Sequence, residues 1–327
     1  MAAGRAPNTA VTFFERSRPT PVSFQSNISI QQELAKAFLV EGGYIGNLSH
    51  HLTAPDMSIN QVPFEKLGPG DAQSKRPFPQ FSNVSVINPP LGNSAYHAGF
   101  VKVERRFHSG LSLLSHYTFS KFLDDVESFS EIGDAGSYMD FYNRKLDRGL
   151  SGSDVRHRAV VSLVYALPRW KEHRYIDRIA GGWKTGVIAT YQAGSPFSVF
   201  NSVNATNAFT PGAVRPDLTG DLYLSGSARN LSQWFNTDAF KAPAPYRFGT
   251  AGRSILTGPA TTNVDTSLIK LFPIHESLRF EIRAEFFNLL NHANFNLPGH
   301  SLGAPGFGVI NSAKAGRAGQ FALRLEF

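Results

Sequence analysis

A stretch near the C-terminus alternates strictly between apolar and charged side chains, and this alternation restricts the possible folds more than any other feature of the chain. Every second residue from Leu278 to Phe286 is apolar, and the four residues between them are Arg279, Glu281, Arg283 and Glu285. Successive side chains of a β-strand point to opposite faces of a sheet, so the segment predicts a strand with one apolar and one fully charged face. A helix would distribute the same charges around its circumference.

Eight further segments have a similar but weaker period of two, and most are about ten residues long or slightly longer. That is the length that a tilted strand needs to cross a bilayer. The faces of segment 263–272 are mixed. The nine predicted strands are residues 22–32, 37–47, 96–107, 111–122, 156–167, 183–192, 263–272, 278–286 and the C-terminal segment 321–327.

The connections between these segments alternate in length. Short ones are predicted at 33–36, 108–110 and 273–277, with one of middling length at 168–182. Long ones, rich in Pro, Gly, Asn and Ser, are predicted at 48–95, 123–155, 193–262 and 289–318. Short periplasmic turns and long outer loops are the rule in outer-membrane barrels. The alternation therefore favours a transmembrane antiparallel β-barrel over the alternative, a soluble all-β sandwich.

Composition agrees with this prediction and excludes several classes of function. Charged residues make up 17% of the chain and aromatic residues 12%, whereas soluble domains have about 25% charged residues. The Lys and Arg residues are scattered, so we expect no nucleic-acid partner. The sequence contains no Cys and no metal-binding His spacing. The cluster Ser151, Ser153, Asp154 and His157 lacks a nucleophile elbow, so we expect neither an enzyme nor a cofactor nor a metal site.

The faces of the last two strands predict which side chains meet water and which meet lipid. The predicted lumen-facing residues are Arg279, Glu281, Arg283, Glu285, Arg324 and Glu326. The predicted lipid-facing residues are Leu278, Phe280, Ile282 and Phe286. We expect the charged residues of 278–286 to pair across strands with residues such as Lys102, Glu104 and Arg106.

Two of the long loops combine aromatic and polar side chains, which suits recognition of sugars or peptides. Loop 123–155 contains Asp124, Asp125, Glu127, Glu131, Asp134, Tyr138, Phe141 and Tyr142, and loop 193–262 contains Trp234, Phe235 and Phe240. These residues are the candidate contacts for an extracellular ligand, whose identity the sequence leaves open.

Several segments, in order along the chain, resemble the Oar-like subgroup of TonB-dependent receptors. They include FQSNISIQQELAKAFLVEGGYIGNLSHHL (24–52), YHAGFVKVERRFHSGLSLLSHYTFSKFLDD (96–125) and DVRHRAVVSLVYALP (154–168). The resemblance continues in GGWKTGVIATYQAGSPFSV (181–199), FEIRAEFFNLLNHANFNLP (280–298) and GRAGQFALRLEF (316–327). Together these segments cover about half of the chain.

The resemblance implies a barrel of about 22 strands closed by a plug, of which residues 1–327 would form a single C-terminal segment of about nine strands. We expect a fragment that lacks the plug, the TonB box and a signal peptide, so that it would meet the TonB complex only through those missing parts. The other expected partners are outer-membrane lipid and the barrel-assembly machinery, which would read Phe321, Leu323, Leu325 and Phe327. The alternatives are an adhesion or surface-structure barrel without transport, and a soluble carbohydrate-binding β-protein.

Overall fold

The computed structural model describes residues 9–35, 37–126, 138–169, 174–210, 214–225, 228–275 and 278–327. Nine long strands dominate it, and each contains the greater part of one predicted segment. We number them β1 (Val22–Ala35), β2 (Phe38–Leu52), β3 (Gly92–His108), β4 (Leu111–Asp124), β5 (His157–Ala166), β6 (Trp183–Gln192), β7 (Thr261–Pro273), β8 (Arg279–Phe287) and β9 (Ala318–Glu326). The all-β prediction is confirmed.

The nine strands form one antiparallel meander in which each strand pairs with its neighbours in sequence. A two-residue strand, Gly149–Leu150, also pairs with the end of β4. Within the described ranges, β1 pairs only with β2, and β9 pairs only with β8. The sheet therefore has two open edges, and the structure does not show a closed barrel.

Short and long connections lie at opposite ends of this sheet. The connections 36–37, 109–110, 167–182 and 274–278 define what we call the turn end. The β3–β4 turn is tight, because Ser109 and Gly110 both adopt positive φ angles, 50° and 82°, as a two-residue hairpin turn requires. The connections 53–91, 125–156, 193–260 and 288–317 lie at the other end, the loop end. The predicted alternation of connection lengths is thus present.

A single α-helix among the described residues, α1 (Arg174–Ala180), lies in the 167–182 connection at the turn end. No helix in the described part of the chain is long and apolar enough to cross a membrane. Within the described residues, the long connections contain short 3-10 helices at Phe64–Lys66, Gln73–Lys75, Arg144–Asp147 and Thr237–Ala239. They also contain small sheets: Ala10–Phe13 with Asn83–Val86 and Met57–Ser58; Pro196–Phe197 with Leu256–Thr257; Phe200–Asn201 with Ser301–Leu302; and Asp217–Leu218 with Phe240–Lys241.

The connections at the loop end fold together into a compact body, which we call the loop cap. Its largest hydrophobic cluster is built around Phe197, Phe235 and Leu256, each at most 1% exposed. A second cluster surrounds Met139 and Phe248, and a third joins Met57 to Tyr138. Residues far apart in sequence meet in these clusters, so the apolar residues of the loops form a core of their own. The buried hydrophobic residues of the described chain lie mainly in this cap.

Candidate functional site: a two-faced wall with a loop cap

The strand register places the charged side chains of the C-terminal hairpin on one face of the sheet. Glu281 lies opposite Arg324, and Arg279 lies opposite Glu326. Arg283 bridges two carboxylates of its own strand, at 3.1 Å from Glu281 and 3.6 Å from Glu285. Each cation on this face therefore has an anion within reach, so the face is charged but balanced.

The apolar side chains of the same strands lie together on the opposite face. Phe280 lies opposite Leu325, and Ile282 lies opposite Leu323. The Phe286 and Phe321 rings make an edge-to-face contact at 6.0 Å. In β9 this face is bare, with Phe321 77% and Leu323 70% exposed. Residues that water would normally drive into a core thus form an outward surface.

Both faces continue across the whole sheet. The strand registers place Leu268, Leu163, Val101 and Tyr44, and Ile28 in β1, on the same face of the sheet as the apolar residues of β8. Its edge is exposed too, with Ile28 66% and Ile30 77% accessible. Residues of the other face are mainly polar, and in β1 they are Ser23, Gln25, Asn27, Ser29, Gln31 and Glu33. A mainly apolar surface and a mainly polar surface thus lie on opposite sides of the nine-stranded sheet.

One buried ion pair joins the loop cap to the sheet, and a second joins two loops of the cap. Arg253 donates to the Asp124 carboxylate at 2.5 Å and also to the backbone oxygens of Asp124 and Asp147, both at 3.0 Å. Arg215 donates to the Asp147 carboxylate at 2.7 Å. The four side chains are 7% exposed or less. Because Asp124 ends β4, the Arg253 contact joins a loop more than a hundred residues away directly to the sheet.

A cavity of about 390 Å³ opens where the loop cap meets β6 and β7. It is lined by Ser195, Thr261, Phe295, Asn296, His300 and Lys314, among others. Hydrogen-bond donors, an aromatic ring and one cation face the same space, as in pockets that bind small polar ligands. The sequence patterns did not single out these residues, because two separate connections and the start of β7 contribute them.

Burial raises the pKa of two carboxyl groups near the loop end of the sheet. It raises the pKa of Asp140, whose oxygen accepts from the Gln61 amide at 2.8 Å and from the Tyr142 backbone at 3.0 Å. It also raises the pKa of Asp154, although the Phe122 backbone N–H donates to that carboxylate and opposes the shift. Both carboxyl groups accept hydrogen bonds that fix the conformation of the loops.

These observations suit a protein with lipid on one side and water on the other, and a family comparison decides the class. A family model described as an outer membrane beta barrel domain matches residues 1–320. The chain belongs to this outer membrane β-barrel family. Its location is therefore the outer membrane, as the sequence predicted.

A solved structure supports the same architecture. The β-barrel chain is similar to the outer membrane transporter YddB from Escherichia coli, with 11% sequence identity and a TM-score of 0.51. The match covers 99% of this chain and 35% of that one, so the β-barrel chain spans about a third of the transporter's length. At this identity the likeness shows the fold alone. No curated protein matches the sequence.

Two predictions about the wall of this β-barrel chain need correction. Lys102 pairs with Glu104 at 3.1 Å and approaches Glu41 at 4.0 Å. Four strands separate β3 from β8, so the predicted pairing of Lys102, Glu104 and Arg106 with the charges of β8 is wrong. Leu278 lies in the β7–β8 turn, where its backbone bonds with His275 and Ile274, and not in the strand.

Five of the eight predicted ligand contacts that lie in the described residues are structural. Phe235 is fully buried, and Phe240 and Tyr138 are each 4% exposed, because they form the loop-cap core. Asp124 is tied to Arg253, and Asp125 accepts from the Asn93 backbone at 2.6 Å. Three of the predicted contacts, Glu127, Glu131 and Asp134, lie outside the described residues.

The remaining predicted contacts stay nearer the surface. Phe141 is half-buried, and Tyr142 is 47% exposed. Trp234 packs against the loop-cap core while the Arg229 guanidinium covers its ring at 3.7 Å.

The residues set aside as a nucleophile site also have structural partners. Asp154 binds the Phe122 backbone, and His157 bonds through Nδ1 with the Tyr117 hydroxyl at 2.8 Å. Ser151 accepts from the Ser153 backbone N–H at 3.2 Å. Among the described residues there is no group of His, Asp and Glu side chains arranged to hold a metal ion.

Proposed function

We propose that this chain forms part of the wall of a TonB-dependent outer-membrane transporter and takes no part in covalent chemistry. The observation that carries the proposal is the two-faced sheet, which has a mainly apolar face, a charge-balanced polar face and strands long enough to cross a bilayer. In this arrangement the apolar face meets lipid, and the polar face lines the lumen.

The open edges of β1 and β9 indicate that further strands complete the barrel wall. A strand edge in lipid leaves its N–H and C=O groups without water, at a cost of several kcal/mol for each group. We therefore expect both edges to pair with further strands, in a barrel of about 22 strands as in other plugged transporters. The coverage of about a third of YddB is consistent with this share of the wall.

The polar face is suited to hold a plug. Its ion pairs, such as Arg283 with Glu281 and Glu285, are partly exposed and available to further partners. Exposed pairs contribute less than about 1 kcal/mol each, so a plug held by many of them is retained and yet can be displaced. The loop cap would then present the cavity around His300 and Lys314 to ligands arriving from outside.

We further propose that the last strand is read by the barrel-assembly machinery. Phe321, Leu323 and Leu325 lie on one exposed face, and Phe327 is 97% exposed. The outer edge of β9 has no strand partner within the described ranges. A free edge with an apolar face suits β-augmentation, in which the strand adds to another sheet.

The lumen assignment is tested by loosening the plug. In the complete receptor, the triple variant E281Q/R283Q/E285Q should make cells more permeable to vancomycin, which is too large for an intact outer membrane. The matched control I282V/F280L changes the apolar face and should leave exclusion intact. If the triple variant excludes vancomycin as well as the parent does, the face does not hold a plug, and a barrel for adhesion becomes the better explanation.

The orientation of the faces has its own test, because the sequence contains no Cys. Single cysteines at Glu285 and at Phe286 should differ: a water-soluble maleimide should modify the first and not the second. Equal modification of both would show that neither face meets lipid.

A further inference from the structure

A lysine interrupts the apolar face at the turn end. Lys270 lies opposite Trp183 and Ile282 in the sheet, and therefore on the side that bears Phe280 and Phe272. Its side chain is nevertheless buried, with the residue only 4% exposed. A cation directed toward lipid needs a partner, and its cost is smallest near the membrane interface.

Helix α1 supplies that partner. The Lys270 ammonium donates to the backbone oxygens of Arg178 at 2.6 Å and Ile179 at 3.0 Å. Trp183 Nε1 also donates to the Ile179 oxygen, at 2.8 Å. The last carbonyls of a helix carry partial negative charge and lack donors within the helix. These bonds therefore dock α1 against the apolar face of the sheet.

The docked helix exposes apolar side chains in place of those it covers. Tyr175 is 82%, Ile176 53% and Ile179 77% exposed. A short segment with such side chains beside cations is typical of helices that lie in the interface of a membrane. Helix α1 would thus sit at the level of the lipid headgroups.

A cavity of about 500 Å³ lies between α1 and the end of β7. Among the described residues that line it, three are cationic, Arg169, Arg178 and Lys270, and one is a carboxylate, Asp177. Arg169 reaches Asp177 only at 3.9 Å, and its side chain is 59% exposed. Phe272 adds an apolar wall. The cavity thus combines excess positive charge with a surface for acyl chains.

We propose that this cavity, the interfacial pocket, binds the headgroup phosphate of an anionic glycerophospholipid such as phosphatidylglycerol. The proposal rests on the membrane orientation proposed above, which puts the turn end in the periplasmic leaflet. Arg169 and Arg178 contact the phosphate, Lys270 contributes charge while it holds α1, and the acyl chains lie along Phe272 and the exposed side chains of the helix. Basic pockets beside membrane spans bind anionic headgroups in this way.

The test uses the chain purified from outer membranes in mild detergent, with bound lipid counted by native mass spectrometry. Added phosphatidylglycerol should bind in preference to phosphatidylcholine with the same acyl chains. The variant R169Q/R178Q should bind it at least about tenfold more weakly. The control K145Q/R148Q removes the same charge from the loop cap, where both residues are exposed, and should bind like the parent.

Two further experiments test whether a loss of binding comes from lost charge or from misfolding, and whether the pocket binds the lipid or any free phosphate. R169K/R178K keeps the charge and should retain binding within about threefold. An excess of inorganic phosphate should not displace the lipid. Undiminished binding by R169Q/R178Q, equal loss in K145Q/R148Q, or release by inorganic phosphate would each overturn the proposal. None of these readouts involves the plug, so a negative result here, with vancomycin still excluded by the parent receptor, would leave the transporter proposal standing.

Discussion

Removing the Arg253 side chain should open the loop cap without disturbing the sheet. Arg253 donates hydrogen bonds to the Asp124 carboxylate and to two backbone oxygens, and the side chains of the pair are 3% and 7% exposed. The substitution R253Q leaves the Asp124 charge buried without a countercharge. Breaking a buried ion pair from one side costs about 3–5 kcal/mol.

This cost predicts a large change in local opening. At 1.4 kcal/mol for each factor of ten, about 3–5 kcal/mol raises the open population of the cap by roughly 100- to 3000-fold. Hydrogen exchange of the solubilised chain, followed by mass spectrometry, should show this acceleration in peptides around 124, 147 and 253. Peptides from β6 to β8 should exchange at their original rates.

A double-mutant cycle makes the test specific. The exposed residue Arg148 provides the matched control R148Q, which should leave exchange unchanged. The losses in R253Q and D124N should not add in the double variant, with a coupling of at least about 1 kcal/mol. Strictly additive effects, or a change below about threefold in R253Q, would refute the view that this pair fastens the cap.

Three further predictions concern other parts of the molecule. Deletion of Phe327 should reduce the amount of the chain found in outer-membrane fractions while total synthesis stays the same, and unchanged insertion would remove the assembly-signal proposal. Burial raises the pKa of Asp140 above its ordinary value of 3.8, so the carboxyl group stays protonated to a higher pH in the folded cap than in the unfolded chain. The stability that this protonation contributes is present below pH 3.8 and is lost as the pH rises through the raised pKa. D140N should abolish this part of the pH dependence of protease protection of the cap as the pH rises above 3.8, and an identical profile would contradict the assignment. K270A should remove the lysine donor from the Arg178 and Ile179 carbonyls at the end of α1, at a cost of about 1–3 kcal/mol, and speed tryptic cleavage at Arg178; a cleavage rate like that of the parent would argue against the docking role.

The strands could be predicted because hydrocarbon imposes a pattern on every residue that crosses it. The segment 278–286 shows this best, since one misplaced charge would face lipid. Strand ends were harder to predict. β2 continues to Leu52, five residues beyond the predicted end, through residues such as His50 and His51. Outside the hydrocarbon layer both faces meet water, so the alternation is no longer required there and the pattern fades while the hydrogen bonding continues.

The loop cap was not predictable in the same way, because its structure depends on contacts between distant segments. Phe235 and Phe240 look like surface aromatic residues when the sequence of a loop is considered alone. They are core residues because Phe197, Leu256 and Phe307 surround them. Arg253 and Asp124 likewise carry no local signal of their pairing.

The position of Lys270 was partly predictable from the sequence. The mixed faces of segment 263–272 were visible in the sequence. The burial of Lys270 against helix α1 depends on a connection whose position only the folded chain reveals.

The core of the loop cap has a consequence for how the molecule is made. Its apolar residues come from connections that leave the sheet at different points along the chain, so the cap cannot fold one connection at a time. In the orientation proposed above, each long connection reaches the outer side before it can pack against the others. Damage to Phe197 or Phe235 should therefore leave the strands seated in the membrane while the external surface loses its shape.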